Sequence, residues 1–365
     1  MSQMKGKPEK TVLRRILKGV GICFAVILLL VVGLVIVLSV TEYKPKDREE
    51  ISISGMPSRT LHTDEAFSIL SWNNGYGALG DNADFFMDGG SHVYTADKDR
   101  VQENMKTIQQ VIKEVAPNIL FIQEADLRSD RSYSINEYEA LASQFGQFTS
   151  AFAYNFNVLF LPYPLPPIGH VESGLGLFSS YAAEEAYRIQ LPVPFSWPMR
   201  MANLKRALLV ERIPVEDSSK ELVLVDLHLE AYDDGEGKTA QTKMLRELLQ
   251  QEFEKGNYVI AGGDFNQIFS SANDGTYAVK EGLWAPGEID IADFTGDWQF
   301  LMDTSVPSCR SLDQPYEGAD RDSFQYYVID GFIVSSNVEV LSFQTLDQGF
   351  IASDHIPVYL EVKLK

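Results

Sequence analysis

Residues 257–266 read NYVIAGGDFN, and this stretch decides how the chain is organised. Its first half, NYVIA, is short, apolar and β-branched, which suits a buried strand. The strand then delivers Asp264 and Asn266. Working outward, other apolar runs end in the same way. FSILSW (67–72) ends at Asn73, NILFIQ (118–123) at Glu124, and ELVLVDLHL (221–229) carries His228 near its end. Ser353, Asp354 and His355 directly precede a last strand over Pro357–Val362, and Asp330 sits inside the apolar run YYVIDGFIV. If these strands end at one edge of a sheet, the polar groups converge.

Two helices are expected between them. Val101, Met105, Ile108, Ile112 and Val115 recur at helical spacing over 99–115, with Asp97 or Thr95 as cap. Residues 238–255 repeat the pattern with Met244, Leu245, Leu248, Leu249 and Phe253. Further strands are read at 173–180, 204–213, 327–334 and 338–343. Several strands run in pairs, so a mixed sheet pair packed with helices fits better than a parallel sheet.

The polar residues suggest a chemistry. Oxygen donors such as Asn73, Glu124 and Asp264 suit a hard cation like Mg²⁺, not a four-coordinate zinc. A histidine paired with a buried Asp is a poised general base, and a second can donate to an oxyanion. Together they describe metal-assisted hydrolysis of a phosphate ester.

The set SWN (71–73), IQEAD (122–126), HLEAYD (228–233) with Gln241, GGDFN (262–266), ID (329–330) and SDHIPV (353–358) resembles the endonuclease/exonuclease/phosphatase superfamily. That group includes deoxyribonuclease I and the neutral sphingomyelinases. The resemblance runs from about Phe67 to Lys365. It implies a four-layer α/β sandwich of two mixed sheets flanked by helices. It also implies metal ligands at Glu124, Asn73 and Asp354, with Mg²⁺ as cofactor and Mn²⁺ as the alternative. His355 would act as base or phosphate holder, oriented by Asp330. Asp264 would position or activate the attacking water, and Asn266 and His228 would donate to the phosphoryl oxygens. Leu227 and Asp226 depart from the family's usual Thr and Asn, and Lys238 stands where many members have Arg.

Other residues have blander readings beside sharp ones. A lone histidine is more often structural than catalytic, and His62, His92 and His170 receive no role. Asp126 and Asp226 are read as structural. Residues 75–90 hold Asp81, Asp84 and Asp88 without EF-hand spacing, so a Gly-rich loop beside the site is expected. Arg206 and Arg310 are phosphate-binding candidates or ordinary salt-bridged arginines. YNFNVLFLPYPLPPI (154–168) is a strand with a packed loop, or a lip for lipid or an apolar substrate tail; Asn155 or Asn157 would then face the site.

The chain has 365 residues, 45% hydrophobic and 22% charged, which excludes disordered, collagenous and coiled-coil classes. Residues 19–40 are apolar except Ser39 and long enough to cross a bilayer, whose core takes about 20 helical residues. Arg14, Arg15 and Lys18 precede them, which places the N-terminus inside and the rest outside. The expected division is a basic cytoplasmic tail (1–18), a transmembrane helix (19–40), a tether (41–62) and a catalytic domain (63–365). A cleaved signal peptide is the alternative, although the apolar run exceeds a usual h-region. With Cys23 in the span, Cys309 is the only outer cysteine, so no intrachain disulfide forms there.

Formal charge is −20, yet residues 1–46 carry eight basic and two acidic groups, leaving −26 for the remainder. Such a domain does not track nucleic acid by counterion release. The expected partner is therefore a phosphate ester, with a lipid headgroup as one candidate. The protein is expected to be a monomer. A membrane-tethered nuclease and a non-catalytic scaffold are the competing readings.

Overall fold

The computed structural model describes residues 9–57, 59–233 and 235–365; the first eight residues of the expected basic tail lie outside the described residues. Helix α1 (Glu9–Thr41) contains Val12–Thr41, a segment of mean hydropathy 3.3 that is long and apolar enough to cross a membrane or serve as a signal anchor.

Two large sheets follow. The first has seven strands in the order β1-β6-β7-β8-β9-β15-β12. These are β1 (Arg48–Glu50), β6 (Glu185–Gln190), β7 (Ala207–Pro214), β8 (Glu221–His228), β9 (Tyr258–Asp264), β15 (Asp330–Ser335) and β12 (Trp298–Leu301). The second has six strands in the order β16-β17-β2-β3-β5-β4. These are β16 (Val338–Thr345), β17 (Val358–Leu364), β2 (Ala66–Asn73), β3 (Ile119–Asp126), β5 (Gly169–Ser179) and β4 (Thr149–Leu161). Two small pairs, β10 (Gln267–Phe269) with β11 (Gly287–Ile289) and β13 (Cys309–Arg310) with β14 (Tyr326–Tyr327), complete the strands.

Each large sheet contains one parallel pair, β2 with β3 and β8 with β9. Parallel neighbours need a crossover, and helices α2 (Lys98–Val115) and α4 (Glu236–Glu254) supply it. Strand alternation then sorts the side chains. On β2, Phe67 and Ile69 enter the core between the sheets, while Leu70 and Trp72 face α2. On β8, Leu222 and Leu224 enter the same core, and Val223 and Val225 face α4. The result is the expected four layers. Asp97 caps α2 by accepting from the backbone N–H of Arg100, and Leu245 and Leu249 are the buried face of α4.

Three segments differ from the expectation. Within the 41–62 tether, β1 pairs with β6 at the sheet edge and Leu61 is buried, so this segment packs on the domain. Three residues of strand are too short to leave a period. The short helix α3 (Glu137–Gln144) is new, as its apolar face is mostly Leu141. Residues 154–168 split into the end of β4 and the turn leading to β5, and in that turn Tyr163 and Leu165 are exposed and not packed.

Candidate active site

Register explains why the site exists. In the parallel pairs, Asn73 lies opposite Gln123 and His228 opposite Asp264, so all four strand ends reach one edge. Strand β15 runs antiparallel to β9 and begins at that edge, with Asp330 opposite Asp264. Strand β17 runs antiparallel to β2, which puts the preceding Ser353–His355 segment there too. Gln123 ties the two sheets below the site. Its amide donates to Asp226 across the gap at 2.6 Å and to the Ser71 hydroxyl at 3.2 Å.

The two glycines before Asp264 are required by packing. A Cβ on Gly262 would lie 2.3 Å from the Phe332 ring opposite it. Gly263 has φ +139°, and its Cβ would lie 2.0 Å from the Leu227 carbonyl oxygen. Glu124 and Asn266 also adopt left-handed backbone, at φ 57° and 51°. Glu124 sits where the register of β3 on β5 shifts, a bulge that re-aims its side chain.

Oδ2 of Asp264 is the meeting point. The Asn73 amide donates to it at 3.1 Å and to Oε1 of Glu124 at 3.3 Å. Nε2 of His228 lies 3.3 Å from the same oxygen of Asp264, and Nε2 of His355 lies 3.8 Å from it. The other oxygen accepts from the Asn266 backbone N–H at 2.8 Å. The Asn266 amide donates to the Leu229 carbonyl at 2.9 Å. Nδ1 of His355 sits 2.9 Å from Oδ2 of Asp330, which also accepts from the Ser308 hydroxyl at 2.7 Å. The loop is pinned from both sides: Trp72 donates to the His355 carbonyl at 3.0 Å, and Ser353 donates to the Asn73 carbonyl at 2.8 Å.

The two histidines are pushed in opposite directions. Burial, Arg206 and His355 hold His228 well below the usual imidazole range. Burial opposes charge on His355 too, but Asp330 with Cys309 and Asp264 holds it well above that range. Burial, with Asp330 adding and His355 opposing, pushes Asp264 up to about 7. Burial and Glu124 push Asp354 up to about 6. Burial and Asp354 push Asp88 up to about 7. Glu124, Asp354 and Asp88 thus lie near enough together to raise the proton affinity of the latter two, and carboxylate oxygens are the donors that a hard divalent ion takes. Asp264, Asp330 and His355 also bring one donor atom each close together.

All eight expected site residues reach this edge. Ser308 escapes the sequence reading, and Asp88 is placed beside the site without a role. A lone serine in a loop carries no pattern, whereas Asp88 lay within the Gly-rich loop expected beside the site. Its carboxylate accepts from the Tyr232 hydroxyl at 3.2 Å. Several candidates are structural. Arg310 is buried and donates to the carbonyls of Gly80 and Ser311, with Tyr316 beside it. Arg206 donates to the His228 carbonyl and lies 3.4 Å from Glu230. Asn155 accepts from the Ala207 backbone N–H, and Lys238 donates to the Ala231 carbonyl. Asp126 pairs with Arg131 through both oxygens.

The family model described as "Endonuclease/Exonuclease/phosphatase family" matches residues 70–355. The chain belongs to this family. The endonuclease/exonuclease/phosphatase from Beutenbergia cavernae shares the fold at 14% identity and TM-score 0.55, over 82% of this chain and 72% of that one. ANGEL2, a 2',3'-cyclic phosphatase solved with adenosine-2',3'-vanadate, aligns at 13% identity and TM-score 0.55, over 87% of this chain and 99% of its own. A Bacteroides vulgatus member aligns at 14% identity and TM-score 0.51, over 82% of this chain and all (100%) of its own. No curated protein matches in sequence. As a member of this family the protein is a phosphoesterase, of a class that generally depends on a divalent metal.

Proposed function

We propose that this protein is a single-pass membrane phosphodiesterase whose outward-facing domain, with β1 as its first strand, hydrolyses a lipid phosphodiester with Mg²⁺. The observation that carries the reading is Oδ2 of Asp264, which faces Asn73 and both histidines at the meeting edge of the two sheets. Apolar α1 and the basic residues before it support a membrane anchor with a cytoplasmic N-terminus. The acidic outer domain disfavours long polyanions.

Glu124, Asp354 and Asn73 would hold Mg²⁺, or Mn²⁺, which supplies charge stabilisation for the phosphoryl oxygens when bound. Asn73 already orients Glu124 and Asp264 through its amide. Asp264, with its proton affinity raised toward neutrality, accepts the proton of the attacking water. His355 stays protonated through Asp330 and donates Nε2–H to a phosphoryl oxygen as charge builds. Ser308 donates to the same oxygen of Asp330 and so steadies the carboxylate that orients the ring of His355. His228, kept neutral, and Asn266 flank the same space and donate N–H groups to the non-bridging oxygens.

The test is hydrolysis by the full chain in detergent of sphingomyelin, glycerophospholipids, inositol phosphates and plasmid DNA, with Mg²⁺ or chelator. Asp264→Ala serves as the control. Lipid turnover that needs Mg²⁺ and is lost in the variant is expected. Cleavage of DNA alone would replace this reading with a tethered nuclease. No turnover on any substrate, with no Mg²⁺ binding, would favour the scaffold reading.

A further inference from the structure

Six of the exposed apolar residues of the outer domain fall in two neighbouring segments. Leu159, Phe160, Tyr163 and Leu165 crowd the turn between β4 and β5, and Leu165 is 86% exposed. Trp197 and Met199 stand exposed just before and at the start of the 3₁₀ turn Met199–Ala202. The two groups are neighbours. Leu161 of the hairpin and Ala202 and Leu204 at and just after the 3₁₀ turn all pack on one cluster of Phe156, Val158, Ile168 and Val171. Isolated surface apolar groups need no explanation, but a contiguous patch does.

Helix α1 ends on this same platform. Its last turns pack against β4 and the 3₁₀ turn. Leu38 is buried, and the Ser39 hydroxyl donates to the Met201 sulfur at 2.9 Å. Glu42 then pairs with Lys205 at 3.2 Å and Arg200 at 3.4 Å, and Tyr43 packs edge-on against Tyr154. The junction between helix and domain is therefore fixed by side-chain contacts.

Length arithmetic places the platform. Lys18 is the last basic residue before the apolar run. A bilayer core takes about 20 helical residues, so a span that starts after Lys18 ends near Leu38. Leu38 is the residue that the domain covers. The outer boundary of the hydrocarbon then falls at the 3₁₀ turn and the hairpin beside it. Trp and Tyr with flanking basic groups are the side chains that suit a headgroup boundary, and Trp197, Tyr163 and Arg200 provide them there.

We infer that the β4–β5 turn and the Trp197–Met199 segment are seated in the outer leaflet of the bilayer that α1 crosses. The occupant of this patch is lipid, not a second copy or a soluble partner. The patch also communicates with the site. Phe86 packs into the same cluster and meets the Tyr163 ring at 6.1 Å, and two residues later Asp88 bonds Tyr232 at the site mouth. The catalytic edge is thereby held close to the membrane surface, which deepens the lipid phosphodiester reading and rests on it for that substrate alone.

The test uses the full chain with Cys23→Ser, leaving buried Cys309 unlabelled. A single cysteine replaces Leu165, or Leu341 on β16 as control. Strands β16 and β4 form opposite edges of their sheet, and Leu341 is also exposed, at 45%. Each is labelled with an environment-sensitive fluorophore and reconstituted in phosphatidylcholine/phosphatidylglycerol vesicles. The label at Leu165 is expected to be quenched severalfold more by nitroxide lipids than the label at Leu341, and severalfold less by aqueous iodide. Trp197→Cys should behave as Leu165→Cys does. Iodide access at Leu165 equal to that at Leu341 would overturn the inference. So would shielding from iodide without nitroxide quenching, because protein would then be the cover. Quenching is independent of turnover, so lipid contact in a protein inactive on every phosphoester would refute the catalytic reading and leave this one standing.

Discussion

Glu211 offers a quantitative test of the packing. It lies on β7 between Leu209 and Ile213, which both enter the core between the sheets, so strand alternation sends Glu211 there too. Neither carboxylate oxygen has a hydrogen-bond partner among the described residues, and burial alone pushes the group from 4.5 up to about 8. At 1.36 kcal/mol per tenfold change in proton affinity, that displacement amounts to about 5 kcal/mol. The sign follows from linkage. Below the unfolded value both states carry the proton and there is no penalty. Between the two values the folded state keeps a proton that the unfolded chain has lost, so stability falls as pH rises. Above the folded value the full penalty applies. Glu211→Gln removes the titration and keeps the shape. Melting of the full chain in detergent, followed by tryptophan fluorescence, should give nearly equal pH offsets at about pH 5 for both proteins. By about pH 9 the wild type should have lost roughly 3–5 kcal/mol relative to the variant, on the order of 10 °C in melting temperature. Any fixed cost of the glutamine amide is the same at both pH values and cancels. Parallel pH profiles for the two proteins would refute the placement of an unpaired carboxyl in this core.

Three further outcomes follow from the site. Asp330→Asn should reduce kcat by roughly 10²- to 10⁴-fold and move the alkaline limb of the pH profile to lower pH, because Asp330 is what raises His355 above its usual range; an unmoved limb would separate the pair. Ser308→Ala should reproduce that shift in smaller measure, read in the same profile. Gly263→Ala should prevent stable folding, since its Cβ would lie 2.0 Å from a carbonyl oxygen at φ +139°; a melting temperature equal to that of the wild type would contradict it.

The site was more legible than the framework. Its polar residues close strands whose apolar runs are continuous, and parallel pairs with helical crossovers force those ends to one edge. Asp330 and His355 are placed through the ID and SDHIPV matches, and the structure sets each beside a strand antiparallel to one of those pairs. What periodicity does not encode is pairing across the chain. Nothing in REE (48–50) announces that it closes the edge beside β6. Arg310 reads equally as a phosphate ligand or a structural arginine until both its terminal amines are found bonded to carbonyls inside the fold. Ser308 acts on Asp330 only because β13 and β14 bring the two together, a contact that no local pattern records.

The central claim is that Glu124 and His355 serve one metal-dependent hydrolysis. Its most direct measurement is turnover of bis(4-nitrophenyl) phosphate by the full chain as Mg²⁺ is raised from a chelated baseline, for wild type, Glu124→Gln and His355→Ala. Wild-type turnover should be absent with chelator and saturate with Mg²⁺. Glu124→Gln should need far more Mg²⁺, and His355→Ala should fall by roughly 10²- to 10⁴-fold at every concentration. Turnover that persists with chelator, or wild-type rates in either variant, would contradict the account.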